Sequence, residues 1–541
     1  MKKRIIFGLL AVFFLGLLVR TWKLTEYPVS LSMDEVSIGY NAYSILRTGK
    51  DEHGASLPLA FKSVGDYKPP VDIYLTSVSM AIFGMNEFAV RFPVALIGAL
   101  SIVVLVALVR LLGLSWTASL FSGFWLAILP WHIHFSRASF EAITALFFLL
   151  AGSVIFILWV KKRRLIYSIS SAALFSLSVW TYHAERVFVP LLVISLFWIF
   201  KDQINLKNGK TKKQALFFLI TTLIFAIPFL RLLFFTPAIK ERALSTSIIR
   251  EQSLANFLHR GDYKNLVEYI FDNDSYLIFR HWLGKYLNYY DFRLWFWKGM
   301  QFTPPEYQGV GFLYVVDLPL FLFGLYALTQ SKNKKLKSLA LFWFLAGPLS
   351  ASLTMNEQHP LRALVWIPFF GITLASGVDF ISKKLKLTKP ALIYIVLALF
   401  NFVYFTDIYI KQFPRYYSEY WQYGYKQIAL YACENKDNHD DIFVSESFGT
   451  KSDITGLPHL YLLFYCKYDP AEYLIDPSID NIKIKRPYWI EDQYEYKNSL
   501  FIAAPWDFPI EDVPEQAIIK KLEFVNNEPS FIFVDTGKLV F

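Results

Sequence analysis

The sequence has little charge and almost no cysteine. Charged residues make up only 18% of the 541 residues, whereas soluble globular proteins carry about 25%. The two cysteines, Cys433 and Cys466, are too few for a disulfide scaffold or a Cys-rich zinc protein. Apolar residues dominate instead, with 55% hydrophobic and 18% aromatic residues. This composition excludes a disordered chain or a coiled coil and indicates a membrane protein with many spans.

Long apolar runs recur along the first 410 residues. A helix needs about 20 apolar residues to cross the hydrocarbon core of a bilayer. We therefore predict eleven membrane-spanning helices. They cover approximately residues 5–19, 93–112, 116–135, 142–160, 165–181, 187–200, 215–235, 312–329, 339–354, 363–379 and 391–408. The first resembles a signal peptide, but no cleavage site follows it, so we expect a retained anchor.

Basic residues predict the orientation of these helices. Lys and Arg cluster in the N-terminus and in four connections, 161–164, 201–213, 331–337 and 382–389. All of them fall on one side only if the short run 187–200 crosses the membrane. By the positive-inside rule this side is cytoplasmic in a bacterial-type cell membrane. The net charge of +10 is then mainly an orientation signal and an attraction to anionic lipid, and we expect no nucleic-acid partner.

Three polar segments, 20–92, 236–311 and 411–541, are predicted on the opposite, extracytoplasmic side. In the first, Asp34 to Arg47 and the short apolar stretch 71–84 have the pattern of helices that lie in the membrane interface. The last alternates strand-like and helix-like runs, and its stretch from Glu523 to Val534 is predicted to form a hairpin across Asn526-Asn527. We predict a transmembrane domain over 1–410 and a small extracytoplasmic α/β domain over 411–541. Its two cysteines are either bonded to each other or free, and the sequence favours neither.

Charged residues collect at the predicted extracytoplasmic ends of the helices. They come from connections that are far apart in the sequence, and they include both acids and bases. Such a set suits a site that handles an anionic head group and a nucleophile that needs a base. The residues are Asp34, Glu35, Asp66, Lys68, Arg91, Arg137, Glu141, Arg186, His359 and Arg362.

Each of these residues also has a structural interpretation. Asp34 could cap a helix, and each Arg could extend to lipid phosphates. Glu141 could pair with Arg137, four residues earlier on the same helical face. Four histidines, including His183, fall in the same turns, but His132 and His134 lie on different sides of a helix, which disfavours a metal cluster.

Several of these motifs resemble the GT-C glycosyltransferases. The stretch beginning Met33-Asp-Glu-Val-Ser-Ile-Gly-Tyr, together with Lys68-Pro-Pro and Arg91-Phe-Pro93, is similar to the first external loop of bacterial protein-O-mannosyltransferase-like and aminoarabinose-transferase-like enzymes. Ser136-Arg-Ala-Ser-Phe-Glu141 and Tyr182-His-Ala-Glu-Arg resemble later external loops. His359-Pro-Leu-Arg362 resembles a late His-x-x-Arg loop. The match is clear over about the first 200 residues and beyond them rests on topology.

The resemblance implies a GT-C-type, all-α polytopic membrane enzyme that moves a sugar from a polyprenyl-phosphate carrier, usually with inversion. It implies Asp34 as the catalytic base, supported by Glu35, and Lys68 as a contact to the carrier phosphate. Two positions depart from the pattern. Glu141 replaces the usual Asp, and Tyr67 replaces an acid that lies near a metal in some aminoarabinose transferases. The resemblance makes no cofactor certain, and it leaves open whether the enzyme uses a divalent metal.

The resulting prediction is an integral-membrane glycosyltransferase with a polyprenyl-phosphate-linked sugar donor. The acceptor is a glycan, lipid or protein hydroxyl. The predicted catalytic residues are Asp34, Glu35 and Glu141; the predicted phosphate-binding residues are Lys68, Arg91, Arg137, Arg186 and Arg362; further candidates are Asp66, Tyr67 and His359. The alternative is a transporter or lipid flippase, which usually carries its charges near the bilayer midplane and shows paired repeats. A receptor-like role of 411–541 is a third hypothesis.

Overall fold

The structure is a computed structural model dominated by α-helices. It describes all residues except 1, 64–65, 206, 237–245, 252–253, 255–257, 259–262, 264, 301, 303–308, 356–357, 385–387, 451–455 and 540–541. The helices of the first half are α1 (Lys2–Thr21), α2 (Met33–Thr48), α3 (Pro70–Phe83), α4 (Glu87–Leu111), α5 (Trp116–Ile128), α6 (Pro130–Arg137), α7 (Glu141–Lys162), α8 (Leu165–Thr181), α9 (Glu185–Ile199) and α10 (Gly209–Phe235).

The second half is helical as far as residue 435 and contains further short helices beyond it. Its helices are α11 (Leu266–Phe271), α12 (Asp274–Asn288), α13 (Asp317–Gln330), α14 (Lys334–Ala346), α15 (Leu349–Ser352), α16 (Ile367–Lys384), α17 (Thr388–Asp407), α18 (Phe413–Tyr417), α19 (Tyr425–Asn435), α20 (Pro458–Tyr465), α21 (Pro470–Tyr473) and α22 (Trp489–Glu495). One hydrophobic core runs through the bundle formed by α1, α4–α9 and α13–α17.

Six helices of the described chain are long and apolar enough to cross a membrane. They begin at residues 3, 87, 141, 209, 364 and 391. The helices Trp116–Ile128 and Leu165–Thr181 are also apolar but shorter. A multi-pass membrane protein is therefore supported, whereas the count of eleven spans stays a prediction.

Two predicted spans are broken in the structure. The run 116–135 forms two helices, because α5 ends at Ile128 and α6 begins at Pro130. Proline has no backbone N–H and fits best at the first turn of a helix, so it separates the two. The run 339–354 is divided in the same way into α14 and α15, at Gly347-Pro348.

The segment between α1 and α4 contains two helices and a small hairpin. Helix α2 begins after Ser32, whose side chain accepts a hydrogen bond from the Glu35 N–H while the Glu35 side chain accepts one from the Ser32 N–H. This capping box fixes the first turn, which carries Asp34. Strands β1 (Phe61–Ser63) and β2 (Asp66–Lys68) pair antiparallel, and α3 follows directly after Lys68-Pro69. The hairpin therefore holds Lys68 at a defined position.

The C-terminal region contains a mixed five-stranded sheet. Its strands are β3 (Ile442–Val444), β4 (Ile482–Ile484), β5 (Leu500–Ala503), β6 (Ile518–Glu523) and β7 (Pro529–Asp535), in the order β4-β3-β5-β7-β6. The hairpin predicted across Asn526-Asn527 joins β6 and β7. Cys433 and Cys466 are bonded to each other.

The sheet shares its core with the segment that carries Asp34. Val36 and Tyr40 of α2 and Ile73 of α3 pack in one hydrophobic cluster with Tyr461 of α20 and Ile502 of β5. Tyr461 also donates a hydrogen bond to the carbonyl of Leu31, at 2.8 Å. The C-terminal region therefore packs against α2. An independent domain over 411–541 stays a prediction.

Candidate functional site

Asp34 and Lys68 form an ion pair next to the N-terminus of α2. The Lys68 Nζ donates a hydrogen bond to a carboxylate oxygen of Asp34 over 2.5 Å. The Asp34 side chain is 61% exposed, whereas that of Lys68 is only 8% exposed. Burial disfavours the charged ammonium, but the carboxylates of Asp34 and Glu141 more than offset it and raise the pKa of Lys68. The site thus combines a fixed buried cation with an open carboxylate.

Glu141 adds a second acid to this pair. It opens α7, and its carboxylate interacts electrostatically with Lys68 and Asp34. The alternative pairing with Arg137 does not occur, because Arg137 donates to the backbone carbonyls of residues 19, 23 and 27. Burial raises the pKa of Glu141, so Lys68 lies between an exposed acid of α2 and a partly buried acid of α7.

A third acid lies behind this cluster and has no role in the sequence-based prediction. Asp72 of α3 is fully buried, and neither of its carboxyl oxygens makes a hydrogen bond within the described chain. Burial, with the nearby Glu141 carboxylate, raises the pKa of Asp72 to about 8. An acid inside the apolar stretch 71–84 was a signal that could have identified it.

The turn between α8 and α9 brings a histidine and an arginine to Lys68. His183, Arg186 and Lys68 line one small cavity of about 20 Å³, together with Tyr67 and Phe229. The Arg186 guanidinium stacks over the Phe229 ring at 4.8 Å, and its buried Nε makes no hydrogen bond to the described residues. Arg186 thus reaches the cavity with hydrogen-bonding capacity left over.

A larger apolar groove lies next to this cavity, between α8, α9 and α10. Its volume is about 410 Å³, and it shares Trp180, Arg186 and Phe229 with the small cavity. The rest of its lining is almost entirely apolar, including Val189, Ile194 and Phe225. A cationic pocket and an apolar groove are therefore adjacent.

Arg362 approaches the same region from the second half of the chain. Its Nη1 donates to the Thr354 hydroxyl at 2.6 Å and to the Met355 carbonyl at 3.0 Å, and its charge acts on Tyr182 and His183. His359 lies nearby, where burial and the Arg362 charge lower its pKa to about 4. At neutral pH His359 is therefore uncharged.

Three predicted residues form a separate, closed cluster. The Arg91 side chain is 0% exposed and makes a salt bridge of 2.7 Å with Glu35, which is 2% exposed. Arg91 also donates to the carbonyls of Leu24, Pro28 and Ser30, while Glu35 accepts the N–H groups of Ser32 and Ser139. Arg137 also donates to backbone carbonyls between α1 and α2, those of Lys23 and Tyr27.

The placement of the predicted residues is thus divided. The structure brings together Asp34, Lys68, Glu141, Arg186 and Arg362, with Tyr67 in the cavity wall and His359 beside Arg362. It does not bring Glu35, Arg91 or Arg137 into the lining of the Lys68 cavity, because Glu35 and Arg91 bind each other and backbone groups, and Arg137 donates to backbone carbonyls. The Asp66 side chain lies outside the described residues.

The described residues contain no group of three or more His, Cys, Asp or Glu side chains that could hold a metal ion. Tyr67, next to Lys68, supplies no carboxylate. The divalent metal therefore stays a prediction.

Known proteins resemble this chain in a part of its sequence and in its fold. Residues 67–231 match a family model described as dolichyl-phosphate-mannose-protein mannosyltransferase. The crystal structure of ArnT from Cupriavidus metallidurans in the apo state matches with a TM-score of 0.52 and 12% identity, over 98% of this chain and 97% of that one. The same protein bound to undecaprenyl phosphate matches with a TM-score of 0.50 and 13% identity, over 98% and 97% of the chains.

An oligosaccharyltransferase from Archaeoglobus fulgidus, in complex with Zn and sulfate, matches with a TM-score of 0.51 and 13% identity. The match covers 85% of this chain and 61% of that one. The chain has the GT-C glycosyltransferase fold. The predicted resemblance is confirmed at this level, and at these identities the likeness concerns the fold. No curated protein sequence matches the chain.

Proposed function

We propose that the chain is a membrane glycosyltransferase that moves a sugar from a polyprenyl-phosphate carrier to an acceptor hydroxyl. The reaction takes place on the extracytoplasmic face of the cell membrane, where the sequence-based orientation puts Asp34. The observation that carries the proposal is the Asp34–Lys68 pair, an open carboxylate beside a buried cation, whose cavity adjoins an apolar groove. Sugar transfer from a lipid phosphate needs each of these three features.

Asp34 acts as the base. The acceptor oxygen forms a bond to the anomeric carbon of the sugar while the bond from this carbon to the phosphate oxygen breaks. The acceptor proton passes to the Asp34 carboxylate, and the bonding electron pair leaves with the phosphate. A well-placed base contributes about 10²- to 10⁴-fold to such a step. One displacement at the anomeric carbon inverts its configuration.

Lys68 and Arg186 bind the phosphate, with Arg362 nearby. Negative charge grows on this group as it departs, and cations in a dry pocket stabilise the charge most strongly. Arginine suits phosphate oxygens because its planar group presents paired donors. When the phosphate attracts Lys68, the hold of Lys68 on Asp34 weakens and the carboxylate becomes a better base. Binding of the donor thus prepares the base.

The apolar groove between α8, α9 and α10 takes the start of the polyprenyl chain. Its volume of about 410 Å³ holds a few isoprene units, and its apolar lining has the chemistry of a lipid tail. The structural relative ArnT has been crystallised with undecaprenyl phosphate, which supports a polyprenyl carrier here. The acceptor is a glycan, lipid or protein hydroxyl, and the exposed side of Asp34 is where it would approach.

The proposal is tested by transfer in detergent, where no compartment exists for transport. The purified full-length protein is incubated with labelled polyprenyl-phosphate sugars and with membrane lipid, glycan or peptide acceptors. We expect labelled acceptor and free polyprenyl phosphate in equal amounts, and a loss of both in Asp34→Asn. Asp480→Asn is the matched control, because Asp480 forms a 2.7 Å ion pair with Lys436 on the exposed surface. Movement of intact donor across vesicles without any transfer would contradict the proposal.

A further inference from the structure

His183 is a polar residue of the cavity that has no role in the proposed reaction. It lies in the turn between α8 and α9 and lines the same cavity as Lys68 and Arg186. Its Nε2 is shielded from solvent and has no hydrogen-bond partner in the described part of the chain. An unpartnered buried nitrogen costs free energy, and such a group is retained where a ligand can use it.

The charges around His183 keep its ring neutral. Burial and the positive charges of Arg186, Lys68 and Arg362 lower the pKa of His183 to about 3. At physiological pH the imidazole therefore carries one ring proton and no charge. A neutral imidazole can donate a hydrogen bond through one nitrogen and accept one through the other.

We propose that His183 binds the phosphate of the lipid carrier as a neutral hydrogen-bond donor beside Lys68 and Arg186. This inference rests on the proposed function, which supplies the phosphate. The Nε2 that lacks a partner in this cavity donates to a phosphate oxygen. His183 would then be a binding residue that touches the donor, at a position that the sequence-based prediction left out.

A neutral donor has an advantage over a third cation at this position. The carrier phosphate bears one negative charge as a diester, and up to two after the sugar leaves, because the second pKa of a phosphate monoester is about 6. Each added cation would bind the doubly charged polyprenyl phosphate product more tightly than the singly charged sugar donor. A neutral N–H gains less affinity than a cation from the second negative charge of the phosphate. It therefore helps to bind and orient the sugar donor without holding the product as strongly.

The test measures binding of polyprenyl monophosphate to the full-length protein, without any sugar transfer. Two variants separate hydrogen bonding from packing. His183→Gln keeps a neutral N–H donor, whereas His183→Phe keeps a ring and removes the donor. His53→Phe is the control, because His53 is a largely exposed histidine outside the cavity. Polyprenol and inorganic phosphate, tested as competitors, separate recognition of the tail from recognition of the phosphate.

We expect His183→Phe to weaken binding of polyprenyl monophosphate by about 10- to 100-fold, the usual range for a hydrogen bond to a charged group. His183→Gln should recover most of this loss, and polyprenol should bind both variants like the wild type. The ratio of wild-type to His183→Gln affinity should stay constant from pH 5.5 to about 8.5, since the ring does not titrate there and the titration of the phosphate affects both neutral donors alike.

Three results would overturn the inference. One is equal binding by His183→Phe and the wild type. A second is an equal loss in His183→Gln and His183→Phe, which would indicate packing. A third is an affinity ratio that rises steeply below pH 6.5, since the ring would then bind as a cation. Failure of the proposed function is distinguishable, because the wild type itself would then neither bind polyprenyl monophosphate nor transfer sugar.

Discussion

Asp34 and Glu35 are neighbours in the sequence, but they lie in opposite environments. Asp34 is 61% exposed and forms an ion pair with Lys68, beside a cavity with unused hydrogen-bonding groups. Glu35 is 2% exposed, and Arg91 and two backbone amides saturate its carboxylate. A closed, fully bonded cluster stabilises a fold, whereas an open one with spare donors can bind a ligand. The contrast distinguishes Asp34, the proposed base, from Glu35, whose contacts are those of a structural residue.

The largest effect is expected from Asp34→Asn. The amide preserves the shape of the side chain but cannot accept the acceptor proton, so the transfer rate should fall by about 10²- to 10⁴-fold. The measurement is sugar transfer at saturating donor in detergent, with the melting temperature as a check on folding. Near-normal turnover would remove Asp34 from the mechanism and make the contrast with Glu35 meaningless.

Arg91→Met should act on stability instead of chemistry. It leaves the Glu35 carboxylate buried without its cation, and removal of one partner of a buried pair costs about 3–5 kcal/mol. The free energy of unfolding in mixed micelles measures this loss. Arg293→Met is the matched control, because the Arg293 side chain is 73% exposed and its pair with Asp291 should contribute little to stability. A normally stable Arg91→Met protein would show that the closed cluster is not structural.

Lys68→Met should lower kcat/KM by roughly 10²-fold, since one cation fewer stabilises the departing phosphate. Lys68→Arg keeps the charge and should retain part of the activity. The pKa of Lys68 is raised above its usual value, so its ammonium loses its proton only at a higher pH than an ordinary lysine. We therefore expect no activity transition from Lys68 between pH 6 and about 9. Equal kcat/KM in Lys68→Met and the wild type would exclude Lys68 from phosphate binding.

Asp72→Asn should change the dependence of stability on pH. The pKa of Asp72 is about 8 in the folded chain, against a usual value of 3.8. Between these values the unfolded chain releases a proton that the folded chain keeps, so the contribution of this group to stability falls as pH rises. The variant lacks this fall in stability with rising pH. The difference in melting temperature, variant minus wild type, should therefore be larger at pH 8 than at pH 5. A constant difference would contradict the raised pKa.

The smallest effect on activity is expected from the double change Cys433→Ser and Cys466→Ser. The disulfide closes a loop across a sequence separation of 33 residues. Its loss should lower stability by about 2–4 kcal/mol, while the transfer rate of the folded protein stays unchanged. Thermal unfolding and transfer, measured on the same sample, check both parts. A strong loss of transfer at full stability would tie the C-terminal region to the chemistry.

Some of this arrangement could be predicted from local sequence. The capped helix that carries Asp34, the Lys68-Pro-Pro turn and the hairpin at Asn526-Asn527 each depend on residues close together in the chain. The GT-C fold was predicted from motifs and from the apolar runs. The break at Pro130 was also visible in the sequence, but the length of the apolar run 116–135 outweighed it in the prediction.

Other features depend on backbone positions that have no sequence signature. Arg91 binds the carbonyls of Leu24, Pro28 and Ser30, and any residue at those positions could supply such carbonyls. The sequence therefore could not distinguish a phosphate-binding Arg91 from a structural one. His183 was visible only as one of four histidines in predicted turns, because the cavity that gives it a role depends on the packing of α8, α9 and α10.

The most direct test of the central claim is a cryo-electron microscopy structure of the protein in nanodiscs with polyprenyl monophosphate bound. The account predicts phosphate density within hydrogen-bonding distance of the Lys68 Nζ and the Arg186 guanidinium, with the lipid tail in the groove between α8, α9 and α10. Asp34 should then face the open side of this phosphate. Phosphate density at the Arg91–Glu35 cluster, or anywhere away from Lys68, would contradict it.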